Sequence, residues 1–245
     1  MIWIAVGLLV PFLGSVIGAS LVFFSKKGAG QGKLILGVAA GIMLAASIWS
    51  LIIPSIELVQ QRGGIPFLPA AVGLVIGMVA FVIFDTLMPT APMQSKKHQN
   101  KMLILSITIH NIPEGMAVGA VFAGFLAGGG EITLAAAVSL SIGVALQNIP
   151  EGAIVGLPLI RSGSVKKRAF CVGVLSGVVE PISALVTVAL YMVVVAVLPY
   201  MLAFAAGAMI YVTLKELVPD VKDSSLGMIG IMVGFVFMMI MDLSL

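Results

Sequence analysis

Long apolar segments make up most of this chain, and their length restricts the folds that it can adopt. A helix needs about 20 apolar residues to cross the ~30 Å hydrocarbon core of a bilayer. The chain is 60% hydrophobic and 9% charged, whereas a soluble domain carries about 25% charged residues. Lipid cannot satisfy exposed backbone groups, and the segments are too long for barrel strands, so helices are expected. We therefore predict an all-α polytopic membrane protein, a single domain over 1–245, with eight transmembrane helices at about 2–24, 34–59, 66–88, 102–126, 132–160, 169–197, 200–219 and 226–244.

Basic residues predict how the chain is oriented. Twelve of the 13 lysines and arginines fall in four alternate connections, around 25–33, 89–101, 161–168 and 215–223, and the opposite connections hold only Arg62. Such residues accumulate on the cytoplasmic side, so we expect these loops in the cytoplasm and both termini outside, in a bacterial or archaeal plasma membrane. No basic residues precede the first segment, which favours a retained helix over a cleaved signal. The short basic loops give no indication of nucleic-acid binding.

The same hexapeptide occurs twice with one letter changed. HNIPEG spans His110–Gly115 and QNIPEG spans Gln147–Gly152, 37 positions later, each inside an apolar segment. Residues at i, i+3 and i+4 of a helix share a face, so the first residue, the asparagine and the glutamate of each motif lie together. The proline has no N–H, which leaves a carbonyl one turn earlier without its helical donor and kinks the helix. We therefore predict that transmembrane helices four and five are kinked and face each other.

The side chains of the two motifs form a ligand set for a divalent metal ion. Imidazole, amide and carboxylate groups suit ions such as Zn, Fe, Mn and Cd, and they come from His110, Asn111, Glu114, Gln147, Asn148 and Glu151. Buried carboxylates are costly in lipid without a cation. Packing of two hydrogen-bonded polar helices is the alternative, but such contacts contribute only about 0.6–2 kcal/mol and do not require this residue order twice. The single cysteine, Cys171, excludes a thiolate cluster and an internal disulfide.

Other acidic residues lie in or near the predicted helices. Glu180 is the strongest further metal-site candidate, because it stands in the middle of the sixth apolar segment beside a proline. Glu216, Asp85 and Asp242 lie nearer to helix ends, where a carboxyl group that shares a proton or stabilises packing is the simpler interpretation. The lone histidine of the longest loop, His98, is expected to be solvated.

Two further stretches indicate an internal repeat. Ser50–Glu57 (SLIIPSIE) and Thr213–Asp220 (TLKELVPD) each place a proline and an acid near a helix end. With eight helices, segments one to three and six to eight would run in opposite senses. That arrangement is typical of inverted-repeat transporters, whose sites lie at midplane on broken helices.

The two motifs, in an eight-helix chain with both ends outside, resemble the ZIP family of divalent metal transporters. The QNIPEG form of the second motif is similar to that of the GufA-type branch. The resemblance covers essentially the whole chain. It implies a ZIP-type eight-helix bundle, often dimeric, that moves Zn, and with it Fe, Mn or Cd, into the cytoplasm through a binuclear site halfway across the membrane.

The resemblance also assigns residues to this site. It implies one metal position made by His110, Glu114, Gln147 and Glu151, with Glu114 bridging, and a second made by Asn111, Asn148, Glu151 and Glu180. It matches Glu216 to an acidic residue on the cytoplasmic exit route. The chain departs from the family pattern at Asn148, where some relatives have aspartate, and at Lys215, beside Glu216. Its longest loop has one histidine, so a histidine-rich sensor is lacking.

Two other classes of function remain open on the residues alone. An intramembrane metalloenzyme would need HExxH-like spacing or an open metal position with a general base, and one intramembrane histidine argues against it. A proton-linked carrier or channel for a non-metal solute would use the glutamates as a relay. We expect a transporter and not an enzyme, with divalent metal as cargo, no resident cofactor, and membrane lipid as its surroundings.

Overall fold

A computed structural model of the chain describes residues 2–24, 30–87, 96–128 and 132–244, and the regular secondary structure in these ranges is helical. One turn of 3₁₀-helix, Leu21–Phe23, and two π-helical segments, Ser47–Ile52 and Thr213–Leu217, lie beside the α-helices. The α-helices in chain order are α1 (Ile2–Ser20), α2 (Gly30–Ala46), α3 (Ile53–Gln61), α4 (Phe67–Leu87), α5 (Lys96–Leu126), α6 (Leu134–Arg161), α7 (Lys166–Gly177), α8 (Val179–Ala189), α9 (Tyr191–Val212), α10 (Val218–Val221) and α11 (Ser225–Ser244).

Most of these helices combine into stretches that can cross a membrane. Within the described ranges, seven stretches are long and apolar enough: Trp3–Phe23, Gly32–Gln61, Phe67–Phe84, Leu134–Leu157, Lys166–Ala189, Met192–Val221 and Ser225–Ser244. The fourth predicted segment corresponds to α5, which has 31 residues, and the apolar stretch among its described residues is Asn111–Leu126. Large apolar side chains such as Trp3, Leu9 and Leu13 are exposed on the outside, as a lipid-facing surface requires. The predicted all-α polytopic membrane fold is therefore confirmed.

The predicted boundary between the sixth and seventh segments, at Leu198–Tyr200, is wrong. The chain breaks at Leu190 (φ −96°, ψ 22°), and α9 runs on through Pro199. A proline leaves the carbonyl four residues earlier without its helical donor, but here Arg62 Nη2 donates to that carbonyl, of Val195, at 3.2 Å. A neighbouring donor of this kind is what allows proline inside a membrane helix.

The sixth predicted segment is divided where its acidic residue stands. Helix α7 ends at Gly177, and α8 begins at Val179, so Glu180 lies in the first turn of a new helix. Pro181 cannot donate to the carbonyl of Gly177, which explains why the two helices separate at this point. The break places the Glu180 carboxylate inside the bundle, where it is 1% exposed.

Four pairs of helices make the most extensive contacts: α1 with α6, α5 with α8, α2 with α11, and α4 with α9. Glycine lets the backbones approach closely at the crossings. A Cβ added at Gly37 would lie 2.1 Å from the carbonyl oxygen of Gly227, and one added at Gly77 would lie 2.1 Å from that of Phe204. Small residues at crossings are the usual basis of helix packing in membranes.

The same pairs support the predicted internal repeat. In the numbering of the eight predicted segments, segment one packs on five (α1 on α6), and six packs on four (α8 on α5). Likewise, two packs on eight (α2 on α11), and seven packs on three (α9 on α4). In addition, the π-helical segments stand just before Pro54 and Pro219, in the two stretches compared above. A proline does not donate to the preceding turn, which can then widen into a π-bulge.

Candidate metal centre

Both hexapeptides lie within helices, the first in α5 and the second in α6, and each helix continues through the proline of its motif. The predicted kinks at Pro113 and Pro150 stay a prediction. The polar residues of the motifs that the structure describes are all buried, with exposed fractions of 0–3%. Burial of this kind inside an apolar bundle requires that each group be satisfied by a partner or a ligand.

One cluster joins the two motif glutamates through an amide. The Gln147 Nε2 group donates to Oε1 of Glu114 and also to Oε1 of Glu151, the latter at 3.3 Å. The amide therefore bridges two carboxylates that would otherwise repel each other. Glu114, Gln147 and Glu151 are three of the four residues assigned to the first metal position in the sequence analysis.

A second cluster surrounds Glu180. Its Oε1 accepts hydrogen bonds from Asn111 Nδ2 at 3.0 Å and from the Ser15 hydroxyl at 2.9 Å. Its Oε2 accepts from Asn148 Nδ2 at 2.6 Å. The asparagines of both motifs and the predicted sixth-helix acid are thus brought together.

The backbone fixes which way the two asparagine amides face. Asn111 Nδ2 also donates to the carbonyl of Ser176 at 3.1 Å, and Asn148 Nδ2 donates to that of Pro11 at 3.2 Å. Because both NH₂ groups point at atoms that only accept, the amide oxygens must face elsewhere. Asn111 Oδ1, Asn148 Oδ1 and Gln147 Oε1 are buried and accept no hydrogen bond from any described residue.

These three amide oxygens are acceptors in need of a positive partner. A hydrogen-bond donor or a cation would satisfy them, whereas an apolar or anionic group would not. Amide and carboxylate oxygens are suitable ligands for divalent cations. The arrangement is therefore chemically fitted to hold a cation between α5, α6 and α8.

Each motif glycine lets the neighbouring helix approach the site. A Cβ on Gly115 would lie 2.2 Å from the carbonyl oxygen of Glu180, and one on Gly152 would lie 2.4 Å from that of Ser15. Glycine thus brings α8 against the first motif and α1 against the second. The two motif glycines therefore let Glu180 and Ser15, which complete the second cluster, come close to the motifs.

Some predicted residues cannot be placed. The side chains of His110, Glu216, Asp85 and His98 lie outside the described part of the structure. Among the side chains that are described, no three His, Cys, Asp or Glu residues converge to hold a metal ion. The described ligand set is instead a mixture of carboxylates and amides.

Asp242, the remaining acid, lies near the end of α11, where its Oδ1 accepts from the Ser50 hydroxyl at 2.7 Å. It is outside both clusters. Three groups in the second cluster were not predicted from the sequence: the hydroxyl of Ser15 and the carbonyls of Pro11 and Ser176. For Ser15, the signal in the sequence was a polar residue between Gly14 and Gly18.

Comparison with known proteins identifies relatives along most of the chain. The family described as "ZIP Zinc transporter" matches residues 90–242, which include both motifs. The chain is 32% identical to "Zinc transporter ZIP11" of Homo sapiens, over 93% of each protein. It is 35% identical to "Zinc transporter GufA" of Myxococcus xanthus, over 90% of this chain and 89% of the relative. "Zinc transporter ZIPB" of Bordetella bronchiseptica is 32% identical over 86% of this chain.

Proposed function

The chain belongs to the ZIP family of zinc transporters, and from this premise we propose that it carries Zn²⁺ toward the cytoplasm through the two polar clusters. Transport of divalent metal ions is the function that the family assigns, and the proton-linked carrier of a non-metal solute is not favoured. Zinc is the cargo named for the relatives. Fe, Mn and Cd are proposed as further cargo, because one imidazole and mainly oxygen ligands do not exclude them.

The observation that carries the proposal is the set of three buried amide oxygens that accept no hydrogen bond from described residues. The amides that carry them donate to the buried carboxylates of Glu114 and Glu151 in the first cluster and of Glu180 in the second. Three negative charges against one or two divalent cations leave little uncompensated charge in the bundle. If the polar residues served only to hold the helices together by hydrogen bonds, these acceptors would stay unsatisfied, at a cost of about 1–3 kcal/mol each.

The proposed binuclear site follows the two clusters. In the first metal position, Glu114, Gln147 and Glu151 act with His110. In the second, Asn111, Asn148 and Glu180 act with Glu151. Metal binding in the first position requires the Gln147 amide to turn, because its nitrogen now faces both carboxylates and its oxygen is the ligand atom. Acid should compete with metal, since protonated ligands do not bind it.

Two groups of helices are proposed to move against each other during transport. Helices α1, α5, α6, α7 and α8 contact one another around the site, and α2–α4 with α9–α11 form the remainder of the bundle. Rocking of one group against the other would open the site alternately to the two faces. No Walker-type nucleotide motif is present in the sequence, so ion gradients or the membrane potential are the proposed driving force.

Further aspects belong to the same proposal. From the distribution of basic residues and the family resemblance, we propose that both termini lie outside and that Glu216 stands on the cytoplasmic exit route. We also propose a homodimer in a bacterial or archaeal plasma membrane. No enzymatic activity is proposed, in keeping with a family of transporters.

Uptake of Zn²⁺ by proteoliposomes tests the function. Glu114→Ala and His110→Ala are expected to lower uptake at least tenfold, because each removes a proposed ligand. Glu57→Ala, which truncates an exposed glutamate in α3, is the matched control and should keep normal uptake. Unchanged Zn²⁺ uptake in both site variants would reject the metal site.

A further inference from the structure

We propose that Ser15, on the first membrane helix, is a positioning residue for the second metal position, where it orients the Glu180 carboxylate. The inference rests on the proposed binuclear function. It adds α1 to the three helices that carry the implied ligands. Ser15 is 3% exposed, and its hydroxyl donates to Glu180 Oε1 at 2.9 Å.

The acceptor of this hydroxyl distinguishes Ser15 from the other buried serines and threonines that the structure describes. Ser55 also donates to another helix, but to a backbone carbonyl, that of Pro199, whereas Ser15 donates to a carboxylate. Ser47, Ser141 and Thr213 each donate to the carbonyl four residues earlier in their own helix, the common arrangement for such residues. For Ser15 that carbonyl is the one of Pro11, which accepts from Asn148 Nδ2 at 3.2 Å. Ser15 donates instead across the helix boundary to a carboxylate.

The four groups therefore form one interlocked network. Asn148 contacts both Pro11 and Glu180, and Ser15 contacts the other oxygen of Glu180. Both carboxylate oxygens are thereby held in fixed directions. Removal of a hydrogen bond that fixes a metal-ligating carboxylate commonly lowers metal affinity about 10–100-fold.

Close packing by neighbouring helices restricts the position of the Ser15 side chain. A Cβ on Gly177 would lie 2.8 Å from Ser15 Oγ, and one on Gly152 would lie 2.4 Å from the Ser15 carbonyl oxygen. Backbone contacts on two sides thus fix the position of the hydroxyl. The glycine of the second motif and the last residue of α7 are both part of this arrangement.

Binding of Zn²⁺ to the purified full-length protein, followed by equilibrium dialysis and elemental analysis, tests the proposal. The variants are Ser15→Ala, Glu180→Gln and the double variant. Ser141→Ala is the control, because it removes a buried hydroxyl that donates only within α6. Alanine is smaller than serine, so it fits the same space, and thermal unfolding of each variant checks the fold.

Ser15→Ala is expected to weaken the second Zn²⁺ about 10–100-fold and to leave the first unchanged. Ser141→Ala should bind both ions as the wild type does. The double variant should match Glu180→Gln alone, because Ser15 acts through Glu180 and the effects should not add. Normal binding of the second ion by Ser15→Ala, or a loss that adds to that of Glu180→Gln, would overturn the proposal.

The Glu180→Gln variant tests the underlying site separately. If it binds both ions as tightly as the wild type, or if the wild type binds a single ion, the second metal position itself is wrong, and the role of Ser15 fails with it. If Glu180→Gln loses the second ion while Ser15→Ala keeps it, only the role of Ser15 is wrong.

Discussion

The side-chain nitrogen of Asn148 lies 2.6 Å from Oε2 of Glu180 and 3.2 Å from the carbonyl oxygen of Pro11. One amide thus links α6 to α8 and to α1. Both of its N–H groups are committed to acceptors, which leaves its oxygen to meet a cation. The neutral asparagine therefore acts at once as a structural link and as a candidate ligand.

Replacing this amide by a carboxylate should increase the dependence of stability on metal. Asn148→Asp places a second negative group beside Glu180 and removes a hydrogen bond to a charged group, worth about 1.5–3 kcal/mol. We expect a lower unfolding temperature without metal and a larger Zn²⁺-induced rise than in the wild type. Differential scanning fluorimetry with chelator and with Zn²⁺ measures both, with Gln60→Glu on the exposed end of α3 as control. An unaltered Zn²⁺-induced rise would contradict the placement of Asn148 at the metal.

The single glutamine at the start of the second motif should set metal preference. Gln147→His replaces an amide oxygen by an imidazole nitrogen, which favours Zn over Mn. We expect the ratio of Zn²⁺ to Mn²⁺ uptake in proteoliposomes to rise several-fold. Gln147→Asn, which keeps an amide, serves as the comparison. If both variants keep the wild-type ratio, position 147 does not determine selectivity.

The glycine of the second motif should tolerate no side chain. In Gly152→Ala the new Cβ would lie 2.4 Å from the Ser15 carbonyl oxygen, so α1 must move away, at a cost of about 1–3 kcal/mol. We expect a lower unfolding temperature and weaker Zn²⁺ binding. Gly143→Ala in the same helix is the control, because its nearest neighbour is the flexible end of Met238 at 3.3 Å. Equal effects of the two substitutions would contradict the close approach of α1.

The hydrogen bond from Arg62 to the Val195 carbonyl should contribute less to stability when Pro199 is replaced. Arg62→Met takes away the donor to the Val195 carbonyl and should destabilise the protein by about 1 kcal/mol. Pro199→Ala restores a helical N–H for the same carbonyl. In that background the cost of Arg62→Met should become smaller. A thermal unfolding cycle over the four proteins measures this coupling, and a cost of equal size in both backgrounds would contradict it.

Much of the fold was accessible from the sequence because lipid imposes simple rules. Length and hydropathy predicted the helices, and the motif spacing predicted that the Gln147 amide lies with Glu151 on one face. The boundary near Pro199 could not be predicted, because it depends on Arg62, which is remote in sequence. In the sequence, a proline indicates a helix end. The helix can continue when another group donates to the carbonyl four residues earlier, as Arg62 does here.

The site was predictable to the extent that its residues lie on one helix face. Glu180 was predicted from its isolation in an apolar run, although the helix break beside it was not. Ser15 was not predicted, since a serine between glycines has no distinctive spacing relative to the motifs. Its role depends on a tertiary crossing of α1, α6 and α8.

Zinc-edge anomalous diffraction from crystals soaked in Zn²⁺ tests most directly whether the two clusters hold the transported metal. We expect peaks at about 2.0–2.2 Å from ligand oxygens, with Gln147 Oε1 at one position and the oxygens of Asn111 and Asn148 at the other. Well-occupied zinc peaks that lie only outside α5, α6 and α8, with these amide oxygens contacting no metal, would contradict it.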